Sequence, residues 1–265
     1  MGNTKIIIAA HKKYRMPTFS SYIPLQVGAE GKPDLGYARD NTGDNISQKN
    51  PSFCELTGLY WAWKNLDADN IGLVHYRRYF SIRRKSNDPF DNILNDNEVN
   101  KLVSKYKVIV PQKRKYYIET LSSHYAHTHY IEQLDVTKKI ISKKYPEYIH
   151  DYNVVVNRTW GYMFNMMIMR KELLNSYCTW LFDILFELEK EYNHPELSSF
   201  QGRFYGRISE IIFNVWLMHQ VRTGMINQSD IKEVPYIYME KIDWWRKITS
   251  FLNAKFFHRK YKQSF

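Results

Sequence analysis

The chain has 265 residues, 44% of them apolar, and a formal net charge of +11, the composition of an ordinary globular protein with a substantial core. The basic excess favours an anionic partner, whether nucleic acid, a phospholipid surface or a phosphorylated small molecule, and does not choose among them. Cys54 and Cys178 are the only cysteines and lack ligand spacing, which excludes a disulfide framework and a structural zinc site.

The first segment, "KIIIAAHKKY", is a β-branched run that stops at small residues and a basic turn, the pattern of a buried strand emptying into a loop. Its apolar stretch of five residues is too short for a signal sequence, and no run approaches the roughly 20 residues of a spanning helix. The expectation is a chain of the reducing cytoplasm, neither exported nor membrane-spanning. Residues 28–51 are rich in Gly, Asp, Asn and Pro and read as a long loop. "PSFCELTGLYWAWKNL" then has the apolar spacing of one amphipathic helix. "IGLVHYRRYF" follows as a second buried strand, a helix is expected around "NDNEVNKLVSKY", and "YKVIVP" is a further short strand. Alternating strands and helices predict an α/β domain with a mainly parallel sheet, whose ligand crevice lies beyond the carboxyl ends of the strands.

Downstream, "HTHYIEQLDVTKKIISKKYPEY" is helical in spacing, residues 162–169 read as a strand entering a long helix, and "RISEIIFNVWLMHQV" is a helix introduced by a glycine turn. The domain is expected over 1–240. Residues 241–265 form a separate tail with seven Lys or Arg against one Asp, a net charge of +6. A basic amphipathic helix there suits an anionic membrane surface, and docking on the protein's own core suits it equally.

Several clusters carry candidate chemistry. His75, Arg77 and Arg78 close the second strand. Alternation along an extended strand would put His75 and Arg77 on one side, where guanidinium forks can compensate a diphosphate without a metal. Asp67 and Asp69 form an Asp-x-Asp pair but precede that strand, at the end away from the crevice, and read as a solvated turn. Asp40, Asn41, Asp44 and Asn45 could hydrogen-bond a ribose or a base, or simply build turns. His124, His127 and His129 lack a completed zinc pattern and suit a polar pocket. Glu210, near the start of its helix, is either a general base or an acid complementing the helix dipole.

The blocks "IIIAAHKKY", "IPLQVGA", "GYARDNTGDNISQKNPSFCELTGLYWAWKN", "IGLVHYRRYF", "IETLSSHYAHTHY" and "MFNMMIMRKELLNSYCTWLFDIL" closely resemble the DUF4422 family of bacterial capsular and exopolysaccharide glycosyltransferases, from about Lys5 to Glu240. The resemblance implies a single GT-A-like, Rossmann-like domain. It would transfer a sugar from a nucleoside-diphosphate donor, UDP-galactofuranose being one, to a hydroxyl of a lipid-linked glycan in capsule, exopolysaccharide or O-antigen synthesis. By position, Ala10, His11, Lys12, Asp40, Asn41, Asp44 and Asn45 would recognise the nucleoside. His75, Tyr76, Arg77 and Arg78 would hold the diphosphate, Arg77 stabilising the leaving group. Glu210 resembles the acidic base of inverting members, while His124, His127, His129, Trp160 and Asn165 would shape the acceptor pocket.

"HYRR" stands where such transferases usually carry Asp-x-Asp, so no cofactor is firmly expected and manganese or magnesium stays open. The resulting expectation is an enzyme peripheral to the inner face of the cytoplasmic membrane, with no nucleic-acid partner. The alternative from another class is a non-catalytic nucleic-acid or anionic-polysaccharide binder, permitted by charge and aromatic content.

Overall fold

The computed structural model describes residues 2–82, 86–192 and 197–240, and the basic tail expected over 241–265 lies outside them. The first half alternates as its periodicity requires: strands β1 (Thr4–Ala10), β2 (Tyr22–Gln26) and β3 (Ala38–Arg39), helices α1 (Asn50–Phe53) and α2 (Leu56–Asn65), then β4 (Asn70–His75) and β5 (Arg78–Phe80). Helix α3 (Asp96–Val103) and strands β6 (Val108–Pro111) and β7 (Arg114–Lys115) follow, then helices α4 (Leu121–Thr128), α5 (Glu132–Lys144) and α6 (Ile149–Val156). Strands β8 (Trp160–Gly161) and β9 (Met167–Arg170), helices α7 (Lys171–Glu191) and α8 (Phe204–Arg222), and strands β10 (Ile231–Val234) and β11 (Tyr236–Tyr238) complete the described chain.

The main sheet runs β10-β6-β9-β4-β1-β2-β3, with β5 and β11 added beside β4. Strand β1 is parallel to β2 and β4, β2 to β3 and β6 to β10, while β9 is antiparallel to both its neighbours. Both faces are covered, which is why β1 and β4 read as unbroken apolar runs. Alternation divides β1 between the two layers. Ile7 and Ala9 pack with Leu56 and Leu59 of α2 and with the apolar faces of α7 and α8; Ile6, Ile8 and Ala10 pack with Val99 of α3, Tyr79 and Phe80.

Two departures from the sequence expectations shape the crevice. The single helix expected over 51–66 is two helices, because Cys54 adopts a left-handed φ of 55°. Periodicity cannot see one residue leaving the helical well. The strand expected over 162–169 is interrupted at Phe164 and Asn165, both left-handed at φ 76° and 52°; only its second half joins the sheet, as β9.

The long loop after β2 is held from within. Asp40 is fully buried, and its carboxyl group accepts hydrogen bonds from Gly28 N at 2.8 Å, Ala29 N at 3.0 Å, Ser47 Oγ at 2.5 Å and Thr57 Oγ1 at 2.6 Å. The loop is thereby tied to α2, which lies close on the sheet: a Cβ on Gly58 would sit 2.9 Å from Val27 Cγ1. Removing the carboxyl group strands Gly28 N, Ala29 N and Ser47 Oγ, each at a cost of about 1 kcal/mol, while Thr57 Oγ1 keeps Cys54 O at 3.2 Å. Asp40→Ala should therefore lower the unfolding free energy by about 3 kcal/mol, measured by chemical denaturation, with Asp40→Asn falling between it and wild type.

Candidate active site

The cluster "HYRR" is a corner. Strand β4 ends at His75, Tyr76 and Arg77 form the turn, and β5 returns with Arg78 opposite His75. The alternation expected to place His75 and Arg77 side by side is cancelled by this reversal. His75 donates its Nε2 hydrogen to Phe164 O at 2.6 Å. Burial keeps its imidazole below its usual pKa despite the attraction of nearby Glu55, so His75 is a neutral anchor and not a cation for a diphosphate. Tyr76 is buried, its ring edge-on to His11 and Tyr14. Arg77 reaches the surface beside Tyr76. Arg78 lies over the rings of Phe164 and Tyr238, at 4.4 and 5.0 Å, and its Nε is buried without a hydrogen-bond partner among the described residues.

The break at Cys54 swings Glu55 toward this corner. Asn165 donates its Nδ2 hydrogens to Glu55 Oε1 at 2.7 Å and Gly206 O at 3.0 Å, and accepts from Ser209 Oγ at 2.7 Å. Burial would raise the Glu55 carboxyl, but His75 where that ring is protonated, the hydrogen bonds from Asn165 and from its own backbone N–H, and Arg203 outweigh it and hold Glu55 below the usual glutamate range. Asn165 is itself 3% exposed and its amide is committed on both sides. It builds the site and does not face an acceptor, contrary to the sequence expectation.

Helix α8 begins at Phe204, so the glycine turn expected at Gly206 is already helix. Glu210 therefore lies in the second turn, beyond the strongest reach of the dipole, and complementing the helix start does not explain it. Burial raises its carboxyl above the ordinary 4.5, opposed by the charges of Arg207, Arg114 and Arg78 and reinforced by Glu55. Glu210 keeps a window to solvent, and among the described residues no side-chain hydrogen bond engages its carboxyl group.

Beyond the carboxyl end of β1 lies a basic mouth. Partial desolvation lowers the pKa of His11, and the charges of Arg77, Arg203, Lys12 and Lys32 lower it further, which puts these four cations within its field. Arg203 donates Nε to Cys54 Sγ at 3.0 Å. Glu240 caps the mouth: Tyr14 OH donates to its Oε1 at 3.1 Å, Lys12 Nζ lies 3.8 Å from Oε1, and Arg77 Nε lies 3.1 Å from Oε2 as an ion pair without hydrogen-bond alignment. Ala10 contributes backbone alone, accepting from Val27 N at 2.9 Å.

The loop residues expected to read a nucleoside are dispersed. Asp40 is consumed by the loop bonds described above. Asn41 is bonded to Arg39 and Glu30. The Asp44 carboxyl group accepts from Tyr60 OH and its amide N–H donates to Asn65 Oδ1, while Asn45 turns back on Gly43 and Ser47. Asn65 ends α2, about 15 Å along the helix from Glu55, so Asp44 and Asn45 sit toward the amino ends of the strands and outside the crevice. Asp67 and Asp69 are at that end too, paired with Lys171 and the Asn3 amide. A cavity of about 700 Å³ opens there, lined by Trp63, Asp69, Asn70, Arg170, Lys171 and Asn175 among others. The cations around His11 are at the opposite end of the sheet.

The expected acceptor residues also divide. His124 and His127 lie on one face of α4, and both donate Nδ1 hydrogens to buried Glu119 at 2.7 Å. His129 is buried and bonded to Gln201, which makes it part of the scaffold. The Trp160 ring already carries Lys113 at 4.4 Å and Arg158 at 4.7 Å, so it offers no bare platform for a sugar.

Sequence reasoning missed Glu55, Glu119, Lys32, Arg203, Arg207, Arg114 and Glu240. The spacing of Arg203 and Arg207, one helical turn apart, is a usable signal once Gly206 belongs to the helix. A divalent ion fits poorly: the corner that should hold it presents Arg77 and Arg78, and among the described residues no group of three His, Cys, Asp or Glu is arranged to hold a metal. No helix of the described residues is long and apolar enough to cross a membrane.

Comparison with known proteins agrees with this architecture. The chain is similar to the solved apo structure of the WbbM bifunctional glycosyltransferase, with 30% identity and a TM-score of 0.82 over 90% of this chain and 46% of the other. It thus spans about half of that protein, and the shared architecture is GT-A-like. No curated protein matches. The model of the family described as Domain of unknown function (DUF4422) matches residues 5–221, and the chain belongs to that family.

Proposed function

We propose that this protein is a glycosyltransferase acting on a nucleoside-diphosphate sugar, with Glu210 as general base. The observation that carries the reading is the state of Glu210: half-buried with one side open to solvent, raised in pKa, and set among Arg207, Arg114 and Arg78. A raised carboxyl group is a stronger base, and one that no side chain engages is available to a substrate hydroxyl. The similarity to WbbM, a bifunctional glycosyltransferase, supports the same class.

In this mechanism Lys12, Lys32, Arg77 and Arg203 hold the diphosphate at the basic mouth, and Arg78, its Nε buried, adds positive charge behind them. Glu210 takes the proton of the acceptor hydroxyl as its oxygen attacks the anomeric carbon. The bond from that carbon to the β-phosphate oxygen breaks, and the diphosphate leaves with the electron pair. Fixed guanidinium groups meet the charge that grows on the leaving group without reorganising. Direct displacement inverts the anomeric centre. The neutral, anchored His75 and the bonded Asn165 position this machinery and do not touch the donor. UDP-galactofuranose is the first donor to test, and a glycan hydroxyl of a cell-surface polysaccharide the acceptor class. Peripheral attachment to an anionic membrane is assigned to the +6 tail.

Three outcomes test the reading. Glu210→Gln should reduce transfer about 100-fold or more in an assay of nucleoside diphosphate release, with donor affinity retained; transfer at the wild-type rate removes the base. Arg203→Ala and Arg77→Ala should each weaken nucleoside diphosphate binding by about tenfold, the loss of one charge-assisted hydrogen bond, read by calorimetric titration. The rate should fall as pH drops through the raised pKa of Glu210, because only the ionised carboxylate accepts a proton. Arg207 opposes that rise, so Arg207→Ala should move the acid limb of the pH–rate profile to higher pH.

A further inference from the structure

The cavity at the amino ends of the strands has no part in the mechanism above. Its volume is about 700 Å³, within the range of small-molecule sites. Its floor is the pair Asn70 and Arg170, opposite one another on β4 and β9, and residues directly opposite on antiparallel strands share a face. Asn100 of α3 stands on one side, and Glu172 and Asn175 of α7, three positions apart and so on one helical face, stand on the other. Much of the hydrogen-bonding capacity of this lining is unspent. Among the described residues no side-chain bond engages the Arg170 guanidinium, the Asn100 amide or the Glu172 carboxyl group. Asn175 Oδ1 accepts from Trp63 Nε1 at 2.6 Å, which leaves its Nδ2 hydrogens. Asp69 Oδ2 accepts from the Asn3 amide at 2.6 Å, which leaves Oδ1.

The lining selects its ligand by exclusion. Arg170 and Lys171 are matched by Asp69 and Glu172, so this cavity is balanced in a chain of net charge +11, and a phosphate finds no surplus of cations there. Trp63 is the one aromatic residue of the lining among the described residues, and its ring already carries Lys64 Nζ at 3.7 Å and the parallel Phe182 ring at 5.9 Å. A nucleobase has no bare platform on which to stack. None of the exposed large apolar side chains of the described residues lines the cavity, so a peptide has no anchor. What remains is a concave set of donors on Arg170 and Asn175, acceptors on Asp69 and Glu172, and the Asn100 amide, which is both. A hydroxyl group donates and accepts at once, so an uncharged ligand dense in hydroxyls matches every one of these groups. We propose that this cavity is a binding site for a neutral oligosaccharide, separate from the crevice. Strand β4 runs from Asn70 to His75, and at about 3.3 Å per residue this sets the two sites about 17 Å apart, so both can be filled at once. The proposal goes beyond the transferase reading and stands on the cavity, whether or not the crevice transfers a sugar.

The test titrates maltotriose, galactobiose and mannotriose into the full chain and follows the Trp63 indole N–H by ¹H–¹⁵N correlation NMR, the signal being identified by its loss in Trp63→Phe. At least one of the three sugars should shift that signal, and excess UDP should not reverse the shift. Asn100→Ala and Glu172→Ala, both outside the crevice, should each raise the Kd of that sugar about fivefold, the loss of a hydrogen bond, while the Kd for UDP stays as in wild type. A sulfated heparin disaccharide, the anionic probe, should bind more weakly than the neutral sugar. No shift with any of the three neutral sugars overturns the proposal, and that observation needs no variant to fold. Tighter binding of the sulfated disaccharide at the same signal, displacement of the neutral sugar by UDP, or an unchanged sugar Kd in both variants overturns it as well. The rate of transfer in Glu210→Gln bears on the crevice alone, so the two readings fail separately.

Discussion

Asn165 joins three parts of the chain through a single side-chain amide: Glu55 at the start of α2, Gly206 and Ser209 in α8, and the left-handed turn that precedes β9. A left-handed φ at a non-glycine residue costs about 1 kcal/mol or more and persists only where surrounding contacts over-determine it. Here the contacts do so. The same turn points Phe164 O at His75 and puts the Phe164 ring under Arg78, so the corner of the sheet, the broken helix and the helix that carries Glu210 share one geometry.

That arrangement separates charges that would otherwise collapse on one another. Glu55 is satisfied by Asn165 and remains below its usual pKa, whereas Glu210, nearby and without such a bond, is raised. Two carboxyl groups in one crevice are thus pushed in opposite directions by hydrogen bonding and burial, which is how a protein assigns one to structure and leaves the other for proton transfer. The arginines divide in the same way. Arg203 and Arg77 belong to the basic mouth, Arg114 and Arg207 to the region of His124, and Arg78 lies between with an unpaired donor.

The repeat of apolar residues made the strands and most helices legible. Strands β1, β4 and β6 and helices α3, α7 and α8 fall where the periodicity puts them, because burial on both faces of a sheet or along one helical stripe is a property of local sequence. The site was legible only in outline. Lys12, Arg77, Arg78 and Glu210 could be named as candidates because the carboxyl ends of buried strands and a late helix are recognisable positions. His75 and Asn165 were found for the wrong role, since whether a polar side chain faces a ligand or a carbonyl depends on atoms far along the chain. Asp44 and Asn45 were misplaced because a loop's composition does not say toward which end of a helix it runs.

What the sequence alone determined is therefore the alternating α/β core, the basic excess and the presence of cations after β1 and β4, all set by residue type and spacing within a few turns of chain. Only the tertiary structure decided that Cys54 breaks a helix, that "HYRR" is a corner, and that Glu55, Asn165, Arg203 and Glu210 meet. These contacts span 41 to 149 residues, and nothing in local periodicity encodes a meeting at that range. It is fixed by which faces of α2, α8 and the sheet must be buried against one another.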